Sequence, residues 1–278
     1  MLAPSFALAQ MVPGAEAPSF PTRVEVVRVS VLVRGSQGPI LNLRSTDFEV
    51  SDNGVRQEVE TTMREELPLK VVLAFDVSGS LKGKSLGELK RAAHAVVDGL
   101  RPGDRAALLT FADTLRLKVL LSSDFATLHT QIAGLEAEGG TSLVDGTFAA
   151  FALGDGDPGR VMAIVFTDGV ETSSWLRGAD VVETAKQTDV VLYAVRLGDQ
   201  GSSFLGRVTS VTGGRLLPVS SPDRLRQAFL DILNEFKARY VLSYTPRAVE
   251  RKGWHRIDVR VRNQSAKVLA RKGYVASQ

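Results

Sequence analysis

Apolar positions along this chain repeat with two different periods, and the switch between them divides the sequence into three parts. From residue 23 the segment RVEVVRVSVLVRG alternates, with Val27, Val29, Val31 and Val33 on one face and Arg28, Ser30 and Leu32 on the other. Period-two alternation marks a half-buried strand. DFEV and VRQEVETTM read as further short strands, separated by the turn sequences GSQGP and SDNG. From Pro68 the pattern changes. LKVVLAFDVSG is almost continuously apolar, as expected of a strand covered on both faces in a parallel sheet. SLGELKRAAHAVVDGL follows, with Leu86, Leu89, Ala93, Val96 and Leu100 on one helical face and RPGD as its stop. The alternation then continues. RAALLTF, RLKVLLSS, RVMAIVFTDG, VVLYAVRLG and GRLLPVS read as strands. DFATLHTQIAGL (opened by a capping Asp124), SLVDGTFAAFAL, GADVVETAKQTD, SFLGRVTSVTG and a long capped helix over 222–239 read as helices.

Strands alternating with helices of this length predict right-handed crossovers, and therefore an α/β, doubly wound, mostly parallel sheet over residues 68–237. After Tyr240 period two returns in YVLSYTP, HRIDVRVRN and AKVLARKGY. Ile257, Val259 and Val261 face one way; Arg256, Asp258, Arg260 and Arg262 face the other. Neither terminal segment has enough strands to stand alone. Residues 23–62 and 240–275 are therefore expected to pair into one small antiparallel β domain, with the α/β domain inserted between its halves. No internal repeat is visible. Residues 1–22 carry four of the eleven prolines and little periodicity, and read as a disordered lead-in.

Composition narrows the chemistry. The chain has 278 residues, 44% apolar and 23% charged, and no apolar run of the roughly 18 residues that a spanning helix needs. The absence of cysteine excludes disulfides, thiolate metal sites and cysteine nucleophiles. The net charge of +3 hides an asymmetry: residues 246–278 hold nine Lys/Arg and two Asp/Glu, a net of +7, which leaves about −4 for the rest. This basic segment reads as a solvated strand face, with contact to an anionic glycan or lipid surface as its functional alternative. It lacks interleaved aromatics beyond Trp254 and Tyr274 and carries no nucleic-acid motif, so no nucleic-acid partner is expected. ALAQ in the opening MLAPSFALAQ resembles the small-residue end of a secretory signal, which implies a secreted or periplasmic protein.

Open α/β sheets bind ligands beyond the carboxyl ends of their strands. Three stretches at or beside such ends carry oxygen donors: DVSGS, with Asp76, Ser78 and Ser80; GGTSL, with Thr141; and FTDG, with Asp168. Asp76 and Asp168 both close apolar strands, so both face the same rim. Two carboxylates and three hydroxyls are hard ligands. They suit Mg²⁺, with Mn²⁺ or Ca²⁺ as alternatives, and no imidazole or thiolate is present to favour zinc or copper. Two anionic groups spread over so few protein ligands leave such an ion with a coordination position free, which an acidic group of a partner protein can fill.

Asp-x-Ser-x-Ser, then Thr, then Asp, set between β-α-β units, resembles the metal-ion-dependent adhesion site (MIDAS) of von Willebrand factor A domains. The resemblance covers residues 68–237 and includes all five pattern positions. It implies a non-enzymatic, adhesion-type binding module. Ser78, Ser80 and Thr141 would coordinate the metal through their hydroxyls, Asp76 would bind largely through water, and Asp168 would either bind through water or stand behind the direct ligands. Asp145 stands where many members carry an acid and is a supporting candidate. The flanks DFEVSDNGVRQEV and YVLSYTP…ARKGY are similar to those of a bacterial group of von Willebrand A-related proteins, many of them exported.

Other readings compete. Serines after a strand often cap the next helix, here one starting near Ser85. Asp76 with TDG resembles the phosphoryl-transfer site of haloacid-dehalogenase enzymes, but that chemistry needs a general acid where this chain has Ser78. A metal-dependent phosphoesterase, or a scaffold with a vestigial site, remain the alternatives. GDGDPG at 154–159 matches G-x-G-x-x-G but precedes a strand, so it reads as a turn. NQS at 263–265 reads as a polar turn. His94 and His129 read as helix-surface residues, and no histidine adjoins a serine in a nucleophile pattern.

Overall fold

The computed structural model describes residues 26–63, 67–155, 160–198, 202–262 and 265–276. The lead-in and export-signal expectations for residues 1–22 lie outside them, as do most of GDGDPG and Asn263 and Gln264 of NQS.

Among the described residues, five strands precede the α/β unit: β1 (Val27–Gly35), β2 (Gly38–Pro39), β3 (Phe48–Asp52), β4 (Val55–Gln57) and β5 (Thr61–Met63). The α/β unit runs β6 (Leu69–Asp76), α1 (Lys84–Asp98), β7 (Arg105–Phe111), β8 (Leu115–Ser122), α2 (Phe125–Ala133), α3 (Leu143–Gly154), β9 (Arg160–Thr167), α4 (Gly178–Gln187), β10 (Val191–Leu197), α5 (Ser203–Thr212), β11 (Arg215–Val219) and α6 (Leu225–Lys237). It is followed by β12 (Tyr240–Tyr244), β13 (Gly253–Val261), β14 (Lys267–Leu269) and β15 (Gly273–Ala276).

The central sheet has the order β11-β10-β9-β6-β7-β8 and is parallel except for β8, which runs antiparallel to β7. β6 and β9 are buried at every position, which explains their unbroken apolar runs. Alternate residues of each strand feed opposite layers. On β6, Val71, Leu73 and Phe75 pack with α1, α2 and α6, while Val72 and Ala74 pack with α3, α4 and α5. Phe229 of α6 lies with its ring 5.8 Å from that of Phe75 and 6.3 Å from that of Phe166, the residues preceding Asp76 and Thr167.

The terminal strands pair across the inserted unit. β1 pairs β12 with Val29 opposite Leu242, and β3 pairs β13 with Val50 opposite Val259. They form two antiparallel sheets, β14-β1-β12-β5 and β15-β13-β3-β4, whose inner faces share one apolar core. The stretch VRQEVETTM is not one strand. β4 joins the second sheet and β5 the first, because residues 58–60 cross between the layers. The buried Asp52 carboxylate accepts hydrogen bonds from the Tyr244 hydroxyl (3.0 Å) and the Tyr274 hydroxyl (2.9 Å), and meets His255 Nδ1 at 2.7 Å. Burial, reinforced by Asp52, holds the Tyr244 hydroxyl well above the usual phenol range. On the outer face Arg260 and Arg262 pair with Asp258 and Glu49, so part of the basic surface is neutralised locally.

The two units are tied by Arg34 with Glu235, by Arg271 with Asp189, and most extensively by Arg239. Arg239 is fully buried between α6 and β12. It donates to Ser30 Oγ (2.9 Å), Tyr193 Oη (3.1 Å) and the carbonyls of Ser30 (3.0 Å), Gly213 (2.9 Å) and Leu269 (3.0 Å). The end of α6 is also gripped by Arg160, which donates to Phe236 O (2.6 Å) and Lys237 O (3.0 Å). The helix itself is shorter than expected, because Pro222–Arg224 forms a separate 3-10 turn and Ser221 makes no side-chain cap. His94 and His129, expected on helix surfaces, instead stack between α1 and α2 with their Nδ1 atoms 2.6 Å apart.

Candidate metal centre at the carboxyl rim of the sheet

From β6 the chain passes to β7 on one side, and later returns to β9 on the other. The two loops that leave β6 and β9 therefore diverge, and this switch point opens a crevice above the strand ends. The parallel register sets Phe75 opposite Phe166, so Asp76 and the Thr167–Asp168 pair emerge side by side.

All five residues of the pattern lie at this crevice. Asp76 is fully buried; its Oδ2 accepts from Thr167 Oγ1 at 2.6 Å and its Oδ1 from the Ser78 amide at 2.9 Å. Ser78 Oγ lies 3.0 Å from Ser80 Oγ, and Ser80 Oγ donates to Asp168 Oδ1 at 2.9 Å. Thr141 enters from the loop before α3. A methyl group built on Gly169 would lie 3.0 Å from Thr141 Oγ1 and 3.7 Å from Asp76 Oδ2, which places that hydroxyl and that carboxylate around the same glycine. The crevice grades from Asp76, Ser78 and Thr141, all buried, to Ser80, which is exposed.

The serines do not cap the following helix. α1 starts at Lys84 behind Gly83, whose φ is +84°, with no side-chain cap, and Ser78 makes no cap bond to the intervening 3-10 turn. The capping expectation is thus corrected, and the hydroxyls face one another and Asp168. The two glycines of GGTSL have a steric cause. Gly139 has a φ of +74°, and a Cβ there would lie 2.3 Å from Asp113 Oδ2; one on Gly140 would lie 2.7 Å from Asp113 Oδ1, which accepts the Gly140 amide at 2.8 Å. A side chain at either glycine would push Asp113 away and release the turn that presents Thr141.

Asp145 has a different task from the rim acids. Both its oxygens are taken by main-chain amides, Trp175 N and Leu176 N at 2.9 Å each. Two residues not singled out from sequence complete the support. Thr167 anchors Asp76. Glu171 accepts from Val144 N (2.9 Å) at the start of α3 and from Ser173 N and Ser174 N (2.9 and 2.7 Å) in its own loop. Thr167 could have been suspected as the hydroxyl beside Asp168; nothing local marks Glu171.

The donor set fits a hard divalent cation. Burial pushes the Asp76 carboxyl above its ordinary range, against the pull of hydrogen bonds from Thr167 and Ser78, and the Asp168 charge adds to the rise. Burial raises Asp168 as well. Among the described residues neither acid has a Lys, Arg or His ion-pair partner, so a cation would supply the missing countercharge. No group of three or more His, Asp or Glu side chains converges on a common point among the described residues; the other side-chain oxygens of the pattern are the hydroxyls of Ser78, Ser80 and Thr141. The sign of the pH dependence follows. Acids whose folded pKa lies above the unfolded value contribute stability below the ordinary carboxylate range and lose it as pH rises through the raised value. A cation competes with those protons, so Mg²⁺ is expected to raise the melting temperature more at pH 8 than at pH 5. Equal shifts at the two pH values in calorimetric scans would detach Asp76 and Asp168 from the metal.

Comparison with known proteins bears on the family and the fold. A family model for the von Willebrand factor type A domain matches residues 70–229. Inter-alpha-trypsin inhibitor heavy chain H2 of Sus scrofa is 26% identical over 165 residues, covering 53% of this chain and 18% of that protein. An uncharacterized protein of Synechocystis is 34% identical over 84 residues, covering 29% of this chain and 20% of its own length. The chain thus spans about a fifth of the length of these curated relatives. Among solved structures, a von Willebrand factor type A protein from Catenulispora acidiphila has a TM-score of 0.58 at 14% identity, over 84% of this chain and 74% of its own. Proximal thread matrix protein 1 of the mussel byssus, described with a zinc-occupied MIDAS motif, has a TM-score of 0.56 at 19% identity over 65% of this chain and 48% of its own. With more than half of its residues matched by the family model, and the fold and rim described above, this chain belongs to the von Willebrand factor type A domain family.

Proposed function

We propose that the chain is a divalent-cation-dependent protein-binding module. Asp76, Ser78, Ser80, Thr141 and Asp168 would hold the cation, and an acidic side chain of a partner protein would complete its coordination. The observation that carries this reading is the pair of carboxylates, Asp76 buried and Asp168 half-buried, set among hydroxyls with no basic ion-pair partner among the described residues. A bound cation supplies the positive charge that draws in the partner's carboxylate. The chain's own residues orient the hydroxyls and keep Asp76 dry. Neutral hydroxyl ligands leave the cation electrophilic, which favours capture of one more anionic group. Hard oxygen donors favour Mg²⁺ or Mn²⁺; the zinc-occupied motif of the mussel protein is consistent with a site that accepts divalent cations. Among the described residues no helix is long and apolar enough to cross a membrane.

The test compares wild type with Asp76→Ala. Wild type is expected to retain protein partners from native extract in Mg²⁺ and release them in EDTA, and the variant to retain none while keeping its circular dichroism spectrum. Retention that ignores both EDTA and the substitution would refute the reading. A phosphoesterase would turn over generic phosphoesters with the metal bound; a binding module leaves such a panel flat.

A further inference from the structure

The loop that leaves β9 beside the metal rim carries the most exposed large apolar side chain of the described residues. Trp175 is 94% exposed. Its backbone is nonetheless fixed. Asp145, itself only 8% exposed, gives one carboxylate oxygen to the Trp175 amide and the other to the Leu176 amide. Glu171 binds the two preceding amides. The loop is also bonded to a metal-site residue: Thr172 N and Ser173 N donate to Thr141 O at 2.9 and 3.2 Å, and Thr141 N donates to Thr172 Oγ1 at 2.9 Å. A buried carboxylate is therefore spent on the backbone of a residue whose indole meets only solvent. Leu176 and Val170 on the same loop are exposed too, as is Phe148, one helical turn beyond the α3 residues that grip the loop.

A pre-ordered backbone removes much of the entropic cost of binding through that residue, and tryptophan is among the side chains most enriched at interface hot spots. Arg177 on the same loop is paired with Asp180, so the loop offers no free basic side chain of its own to hold an anionic lipid surface. Building on the metal-dependent reading above, we propose that Trp175 is the specificity element of the site. The occupant is a partner-protein segment that presents an acidic side chain to the cation and, a few residues away, an aromatic or large aliphatic side chain to Trp175, Leu176 and Phe148.

The probes are fluorescein-labelled Gly/Ser decapeptides that carry one Glu, alone or with a Phe placed one to six residues on either side. Binding is read by anisotropy in saturating Mg²⁺. At one or more spacings the Glu-plus-Phe peptide is expected to bind about tenfold or more tighter than the Glu peptide. Trp175→Ala is expected to erase that advantage while leaving Mg²⁺ binding by calorimetry unchanged, and Asp76→Asn to abolish binding of both peptides. In a Trp254→Phe background Trp175 is the sole tryptophan, since the chain has two. Its emission should shift to the blue with the paired peptide and not with the Glu peptide. Equal affinity for the two peptides at every spacing, or an advantage that survives Trp175→Ala, overturns the proposal while the metal reading stands. Unchanged Mg²⁺ binding in Asp76→Asn overturns the metal reading itself. A metal-independent blue shift with phosphatidylglycerol vesicles overturns the peptide-binding role of Trp175 in favour of a lipid partner.

Discussion

Asp76→Asn is expected to abolish the stabilisation of this protein by Mg²⁺ while leaving the metal-free fold intact. Wild type at a cation concentration about 100 times the dissociation constant should gain ~2.7 kcal/mol. For a domain of this size that is a rise of roughly 5–11 °C in melting temperature. The variant should gain nothing. The amide preserves the shape of the carboxylate: its oxygen can still accept the Ser78 amide, which meets Asp76 at 2.9 Å, while its NH₂ takes the other position and donates to the Thr167 hydroxyl, which donates to Asp76 at 2.6 Å in the wild type and would accept instead. It removes the charge that burial makes costly, and which Asp168 makes costlier. Metal-free Asp76→Asn at pH 8 should therefore be at least as stable as metal-free wild type, whereas a packing residue would lose stability on any change. Differential scanning calorimetry with and without Mg²⁺ measures both effects. A variant that melts as wild type does in Mg²⁺ would remove Asp76 from the site.

Arg239→Met is expected to destabilise the whole chain by roughly 3–5 kcal/mol, because it strips donors from several buried acceptors at once and each unsatisfied one costs about 1–3 kcal/mol. The acceptors belong to four separate parts of the chain: Ser30 on β1, Tyr193 on β10, Gly213 after α5 and Leu269 on β14. Losing the guanidinium weakens the junction of the sandwich with the α/β unit, although Arg34–Glu235, Arg271–Asp189 and the Lys272 amide on Val211 O still cross it. Tyr193→Phe, which removes only the acceptor at 3.1 Å, should cost much less, about 1 kcal/mol. Urea unfolding monitored by circular dichroism separates the two. A loss below about 1 kcal/mol for Arg239→Met would show that packing alone holds the junction. Because the same end of α6 is gripped by Arg160 and by Lys237, which donates to Gly99 O at 2.6 Å, the helix is tied at its carboxyl end to both units. Any motion that metal or partner binding imposes on α6 must break these contacts or begin at its amino end, near Phe229.

The inserted α/β unit was legible because its information is local. A run such as LKVVLAFD can be apolar at every position only if both faces are covered, and the helices between such runs declare themselves by their 3.6-residue period. The rim motif was legible for a related reason: Asp76, Ser78 and Ser80 are neighbours in sequence, and the ends of two parallel strands must lie on the same side of the sheet. The split of VRQEVETTM was not legible, since a period of two describes a strand in either sheet and only the cross-strand partners, Val50 with Gln57 and Leu242 with Thr62, choose between them. The cap reading of the serines failed for a similar reason. Whether a hydroxyl serves a helix terminus or faces Asp168 depends on a loop that returns from 88 residues away.

What the sequence alone determined, then, was the alternating order of strands and helices in the inserted unit, the β character of the two ends, and the oxygen-only character of the rim. These follow from periodicity, strand count and residue chemistry, none of which needs a three-dimensional neighbour. The tertiary structure decided which acids serve which end: Asp76, buried, and Asp168, half-buried, stand in the crevice, while Asp145 and Glu171 spend their charge on main-chain amides and present Trp175. It also decided that Arg239 is a junction and Asp52 a buried hub, with partners some 200 residues distant in the chain. A carboxylate or guanidinium looks the same in sequence wherever it sits. Its role is fixed by the groups that replace its water, and folding brings those from anywhere in the chain.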